Sequence, residues 1–455
     1  MSTNEANQPV TQKMEAALPK EGLIIFLVGF AVVLVIMNTA MFNLAISDLS
    51  HFFELPLSTI SLAITGYSIM FAIASITYSR LSDFVPIHLL FTTSLVTTGL
   101  ASIVGFFSHH FWVLLIARIM QAAGAGAIIS LSIVLLTRYV PIKRRGKTMS
   151  IIMSSVSLGL GLGPITGGFV VEFLGWQYLF AISSLTLILV PLLFRLIPKE
   201  RFVKGKFDVQ GACYISIGTA GILLFLTNQS WSSLCIGLLG LVLFVFRLLR
   251  TPKPFVQPSL FINKTYISLS LIGILAYLCN FSSLYLLPQV LINHFNLSAS
   301  QAGFVIFPGA LLSMLASRKI GAIIDRNGNS SILRFVPILI LAATCLFAII
   351  GVRFWIANIF VFLLMNLGFT MLGSSVSNEI SRILPPSEIS SGIGLYQLLQ
   401  FLSGAFGIAG VSSALRWQHN YSFPIAYANI FWGLFIFALL TNCFSYFYRK
   451  LTISS

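Results

Sequence analysis

The sequence predicts an all-α polytopic membrane protein: fourteen transmembrane helices, arranged as two six-helix bundles with two further helices inserted between them. Three observations predict this. The first is composition. The chain has 455 residues, 57% hydrophobic and only 9% charged, with a mean hydropathy of +0.94. Soluble domains carry about 25% charged residues, and no soluble core can hide this much apolar surface. The second is that the apolar residues fall into fourteen runs near the roughly 20 residues that a helix needs to cross hydrocarbon. The third is an internal repeat, which divides those runs into two comparable sets.

The spans follow in order. Residues 1–21 are polar and lack the basic, then apolar, then small-residue order of a cleaved signal peptide, so they read as a cytoplasmic tail. The first bundle, 22–197, holds spans at 22–46, 57–80, 87–107, 111–138, 147–174 and 177–197. A linker region, 198–265, contains two short runs without an acid, 210–227 and 231–249, which read as peripheral helices bridging the halves. The second bundle, 266–447, holds spans at 266–293, 301–323, 333–352, 354–382, 390–414 and 424–447, and 448–455 form a second tail.

Charge gives the orientation. There are 27 Lys and Arg against 12 Asp and Glu, a formal charge of +15. The cations gather between alternate spans, as at Arg138, Lys143, Arg144, Arg145 and Lys147, and again at Lys199, Arg201, Lys204 and Lys206. Only Arg353 and Arg416 fall on the opposite side. This asymmetry is the positive-inside pattern, and it places both termini in the cytoplasm of a cell-membrane protein. The basic excess therefore reflects topology, not nucleic-acid binding. The five cysteines lie within apolar runs without metal-ligand spacing and read as small buried hydrophobes.

The repeat is read at two helix ends. SRLSDFVPIH at 79–88 and IGAIIDRNGN at 320–329 each place an Asp at the inner end of an even-numbered span, before a tight turn. Asp83 and Asp325 thus occupy equivalent places. Each can accept hydrogen bonds from the N–H groups of a neighbouring helix start and pair with a nearby cation, Arg80 or Arg326.

Several motifs make a family resemblance specific. They are LIARIMQAAGAG at 115–126, GLGLGPITGG at 159–168, FDVQG at 207–211, PFVQPSLF at 254–261, AGFVIFPG at 302–309 and GIGLYQLLQFLS at 392–403. Together they resemble the major facilitator superfamily, and within it the fourteen-helix drug:proton antiporters, including the tetracycline exporters of Gram-positive bacteria. The resemblance runs from about residue 22 to 447. It implies a transporter, not an enzyme, powered by a proton gradient without a cofactor and working as a monomer in the bilayer on small molecules. It also implies that Asp83 and Asp325, with Arg80 and Arg326, lock the inner gate. Two positions depart from the family pattern: Asn38 or Thr39 stands where span 1 normally has an acid, and Gly404 where the tetracycline exporters have Glu.

Arg118 is the most costly residue in the membrane, about 10 Å below the outer surface at 1.5 Å per residue. Gln121 lies one turn on. Glu172, at the outer end of span 5, is close to Arg118 in depth, so Arg118, Gln121 and Glu172 are the candidates for proton coupling. In span 5, Gly159, Gly163 and Gly167 recur every four residues, with Gly168 beside them, and Pro164 removes a helix hydrogen bond. The stretch reads as a kinked packing seam where one half meets the other. Candidate substrate contacts are the amide and aromatic side chains of Asn38, Thr39, Asn43, Tyr67, Asn280, Tyr285, Gln289, Asn366, Tyr396, Gln397 and Gln400. No G-x-x-x-x-G-K-[ST] loop is present, so ATP is not the direct energy source. Two readings follow: proton-driven efflux of amphipathic compounds and antimicrobials, or import or facilitated passage of a metabolite such as a vitamin.

Overall fold

The computed structural model describes residue 18 and residues 20–42, 45–252 and 254–453. Asn43 lies outside them. Among the described residues, fourteen helices are long and apolar enough to cross a membrane, and no strand occurs. Helix is the form that satisfies every backbone N–H and C=O within one segment, as a bilayer requires.

The first half comprises α1 (Glu21–Met41), α2 (Ile46–Phe53), α3 (Leu57–Leu81), α4 (Ile87–Phe106), α5 (Phe111–Tyr139), α6 (Ile142–Phe173), α7 (Tyr178–Ser184) and α8 (Thr186–Leu196). The insert is α9 (Val209–Asn228) and α10 (Trp231–Arg250), followed by the short α11 (Ser259–Ile262). The second half comprises α12 (Lys264–Asn293), α13 (Ala299–Asn327), α14 (Asn329–Ile350), α15 (Trp355–Ile383), α16 (Ile389–Trp417) and α17 (Phe423–Ile453). Local chemistry sets many of these ends. Pro56, Pro86 and Pro141 stand just before α3, α4 and α6, where a missing N–H costs nothing. Asp208 caps α9 through Gly211 N, and Asn263 caps α12 through Tyr266 N. Ser298 and Gln301 form a reciprocal capping box at α13. Gly328, at φ +73°, makes the turn from α13 to α14 that the second Asp motif predicts.

Three local expectations change. The span expected at 22–46 ends at Met41, and the separate eight-residue α2 follows. The span expected at 177–197 is two successive helices. Thr186 and Ser183 hydroxyls bond back to carbonyls of the preceding turn, which bends a helix at that point. The cysteines also differ from expectation: Cys279 is buried, but Cys213, Cys235 and Cys443 are exposed on the outer surface of the bundle.

The halves meet along two main seams, α6 with α13 and α3 with α16, and α15 also packs on α6. The inserted pair is held together by glycines, Gly221 against the Gly237 backbone and Gly240 against Gly218. α9 touches both α3 and α16, one helix from each half. The surface away from these seams is strongly apolar, with Phe26, Trp112, Leu315 and Ile436 among its exposed side chains, as a lipid-facing surface must be. The end of the bundle where α1 begins carries most of the Lys and Arg and is called the basic end below.

Candidate functional site: a basic-end gate and a buried arginine centre

The hydrogen bonds that join the halves gather at the basic end. Asp325 of α13 accepts from Gly146 N at 2.8 Å and Lys147 N at 3.1 Å, both on α6. The approach depends on small residues: a Cβ on Gly146 would collide with Asp325 and Ile324, and one on Gly321 with the Lys147 backbone. Further along the same seam, Ser150 donates to Ser317 O at 2.7 Å and Ser154 to Ser313 O at 3.0 Å. Near the start of α6, Arg145 reaches Ser381 of α15 at 3.0 Å. On the α3–α16 seam, Ser79 donates to Ser390 O at 2.7 Å. Nearer the opposite end, the α6–α13 contact is by van der Waals packing, Gly161 on Ala310 and Gly303 on Ile165.

The first Asp is held differently. Asp83 pairs with Arg80 and lies 3.6 Å from Arg138, all within the first half. Arg138 also donates to Ser82 O at 2.8 Å and ion-pairs with Glu200 at 3.3 Å. Glu200 in turn accepts from Tyr139 OH at 2.7 Å and from Ile87 N, the start of α4, at 2.9 Å. Arg326, the sequence-based partner of Asp325, forms no ion pair among the described residues. Backbone N–H groups of the opposite half take that place.

Arg118 is 1% exposed. Its Nη1 donates to Asn38 Oδ1 and to Gln121 Oε1, each at 2.7 Å. Gln121 donates onward to Ser102 at 2.8 Å, and Asn38 donates to Ser183. The guanidinium carbon lies 3.8 Å from the Phe42 ring centroid and 3.9 Å from that of Tyr67. The Tyr67 hydroxyl meets Thr39 at 3.3 Å. A charged side chain buried in a bilayer costs on the order of 2.5–3.5 kcal/mol on insertion scales and more by simulation. Two carbonyl oxygens and two ring faces, the latter each worth about 0.5–2 kcal/mol, offset it in place of a carboxylate. Glu172 is exposed and forms no ion pair or hydrogen bond among the described residues, so its depth alone does not bring it to Arg118.

The glycine stretch faces a different neighbour from the one its spacing predicts. Gly159, Gly163 and Gly167 face α1, with hypothetical Cβ atoms meeting Ile36 and Val33 O, Ala40, and Met41 respectively. The four-residue stripe therefore packs α6 against α1 inside the first half. The glycine that meets the second half is Gly161, on the other side of the helix. Pro164 sits within a helix that continues to Phe173, with Gly168 half-buried beside it.

The substrate candidates do not form one group. Asn280 is fully buried, and both amide atoms lack a partner. It borders a narrow crevice between the halves, too tight for a water molecule, with Ser157, Gly161, Ile306 and Asn366. Asn366 donates to Ser313. Tyr396 accepts from Gln400 at 2.8 Å, and Gln397 Nε2 is buried without a partner. Tyr285 is exposed, and Gln289 bonds only to its own helix at Tyr285 O. Sequence reasoning missed Tyr139, Arg138 and Glu200 as one cluster, and Tyr448 with Glu379. Their separation along the chain hides them, although a lone acid at 200 between two cations is a usable signal.

Two six-helix halves joined at one end by polar contacts, around buried polar side chains, are the architecture of a membrane transporter. The chain belongs to the Major Facilitator Superfamily, whose family model matches residues 28–408. It is 25% identical over 415 residues to the riboflavin transporter RibZ of Clostridioides difficile, covering 89% of this chain and 90% of that one. It is also 25% identical over 383 residues to the lincomycin resistance protein LmrB of Listeria monocytogenes, covering 81% and 80%. Among solved structures it matches the human organic anion transporter MFSD10 (TETRAN), with TM-score 0.66 and 16% identity over 92% of this chain and 100% of that one. That likeness shows the fold.

Proposed function

We propose that the chain exports amphipathic small molecules across the cell membrane by alternating access, in exchange for protons, with its basic end in the cytoplasm. One observation carries this reading: the inter-half lock at the basic end, where Asp325 grips the Gly146 and Lys147 N–H groups. A lock of a few hydrogen bonds between rigid halves is what a rocking transporter makes and breaks once per cycle. The charge asymmetry supports the orientation. The lincomycin resistance protein among the relatives supports efflux. For coupling, Asp325 is the proposed acid in place of Glu172, because protonating a carboxylate that bridges the halves weakens its hold on backbone donors.

The second reading, import or facilitated passage of a metabolite such as a vitamin, is favoured by the uncharged Asn38 at Arg118, where an acid would otherwise serve proton coupling, and by the riboflavin transporter among the relatives. Inverted membrane vesicles carrying a pH-sensitive dye and an imposed proton gradient test both. Proton release on adding lincomycin or another amphiphile, abolished by Asp325→Asn, is the expected result. Riboflavin movement that is indifferent to the proton gradient would favour the second reading and sink the first.

A further inference from the structure

We infer that Arg118 is a binding site for a carboxylate-bearing ligand; this rests on the transporter reading above, because it requires the ligand to arrive through the space between the halves. Arginine offers five N–H donors in a planar fork. In this structure both hydrogens of Nη1 have partners, Asn38 Oδ1 and Gln121 Oε1. Nε is buried with no acceptor. Among the described residues Nη2 enters no hydrogen bond or ion pair, which leaves the Nε/Nη2 edge unused. That edge presents two parallel N–H donors, the spacing that a carboxylate accepts in bidentate fashion.

Charge points the same way. No carboxylate among the described residues pairs with Arg118, although it is 1% exposed. The amides of Asn38 and Gln121 orient the guanidinium without neutralising it. Asn38 is itself held by Ser183, and Gln121 by Ser102, so the fork is fixed before any ligand arrives, which lowers the ordering cost of binding. Access runs through aromatic rings. Tyr67 covers one face of the guanidinium and stacks on Phe71, whose ring lies 4.6 Å from Phe401 of the second half. Arg118 therefore lies one ring behind the α3–α16 seam, and parting of that seam frees the Tyr67–Phe71 pair. The ligand class that fits is an aryl or alkyl carboxylate: an anionic head for the fork and an apolar body for Phe42, Tyr67 and Phe71.

The test uses the purified full chain in phosphatidylcholine nanodiscs, with benzoate as probe and benzamide, its neutral isostere, as control at constant ionic strength. Benzoate is expected to raise the melting temperature in a saturable manner, as mass action requires of a ligand that binds only the folded state, and benzamide is not. Asn38→Asp keeps the arginine but supplies an internal carboxylate. It is expected to fold, to melt no lower than the parent, and to lose the benzoate shift. Arg118→Gln is expected to lose it too, but Asn38→Asp carries the test should Arg118→Gln fail to fold. Equal shifts from benzoate and benzamide, or an undiminished benzoate shift in Asn38→Asp, overturn the inference. Export of neutral amphiphiles by vesicles whose protein shows no benzoate-specific shift sinks this inference and leaves the export reading standing. A benzoate-specific shift lost in Asn38→Asp, with no export of any compound, supports the site and removes the export reading.

Discussion

The two halves tie the same three helix ends together at the basic end, but they place the acid on different helices. In the first half, Glu200 lies beyond the sixth span and accepts from Tyr139 OH on the fourth span and from Ile87 N at the start of the third. In the second half, Glu379 lies on the fourth span. It accepts from Tyr448 OH on the sixth, at 2.8 Å, and from the side chain of Asn329 at the start of the third. Tyrosine and glutamate have exchanged ends. What is retained is the junction: one carboxylate serving donors from the other two helices. A carboxylate has about four lone-pair sites and no donor, so it suits a three-way joint wherever the chain places it. The halves differ more at the gate. Asp83 spends its charge on Arg80 and Arg138 of its own half, whereas Asp325 crosses to the other. They differ again at mid-depth, where the first half buries the Arg118 cation and the second buries amides, among them Asn280, with neither amide atom partnered, and Gln397, whose Nε2 has no partner.

The largest effect is expected from the glycine faces of α6. Gly163→Leu drives a side chain into Ala40 of α1 within one half and should prevent recovery of folded protein. Gly161→Leu, facing Ala310 across the seam, should fold with a cost of about 1–3 kcal/mol yet block transport. Size-exclusion recovery and vesicle transport measured together separate the two, and equal recovery would refute the assignment of faces.

Next in size is Glu200→Ala, which strips the joint from Arg138, Tyr139 and Ile87 N at once. Removing one partner of a partly buried charged network costs roughly 1.5–3 kcal/mol, read as a fall in melting temperature. Glu379→Ala should fall by a comparable amount if the two joints are equivalent. Asp325→Asn keeps an acceptor but loses the charge, and should open the basic end. A cysteine at Ser154, on the seam, should then label about tenfold faster for each 1.4 kcal/mol lost, while Asp83→Asn, whose bonds stay within one half, leaves labelling almost unchanged. The smallest effects are those of Tyr139→Phe and Tyr448→Phe, about 1–2 kcal/mol each. Because they lie in different halves, the double variant should be additive to about 0.5 kcal/mol.

Much of the fold was legible in the sequence because the relevant signal is local. A run of about 20 apolar residues must cross the hydrocarbon, whatever surrounds it, so fourteen runs give fourteen spans. Prolines and capping residues mark helix starts for the same local reason. The repeat of Asp83 and Asp325, and the cost of Arg118, are also visible in short stretches. Which helix face meets which neighbour is not. Glycines four residues apart show that some backbone comes close, not whose, and only tertiary structure assigns Gly163 to α1 and Gly161 to α13. Tyr139 and Glu200 are 61 residues apart, and Tyr448 and Glu379 are 69 apart; no local periodicity links them. The sequence by itself determined how many times the chain crosses and where its costly charges lie, since transfer energies depend on composition. The tertiary structure alone decided that Arg118 is met by amides, that Asp325 bridges the halves, and that two acids in unlike places make one kind of joint, since hydrogen bonds depend on where distant segments bring their donors.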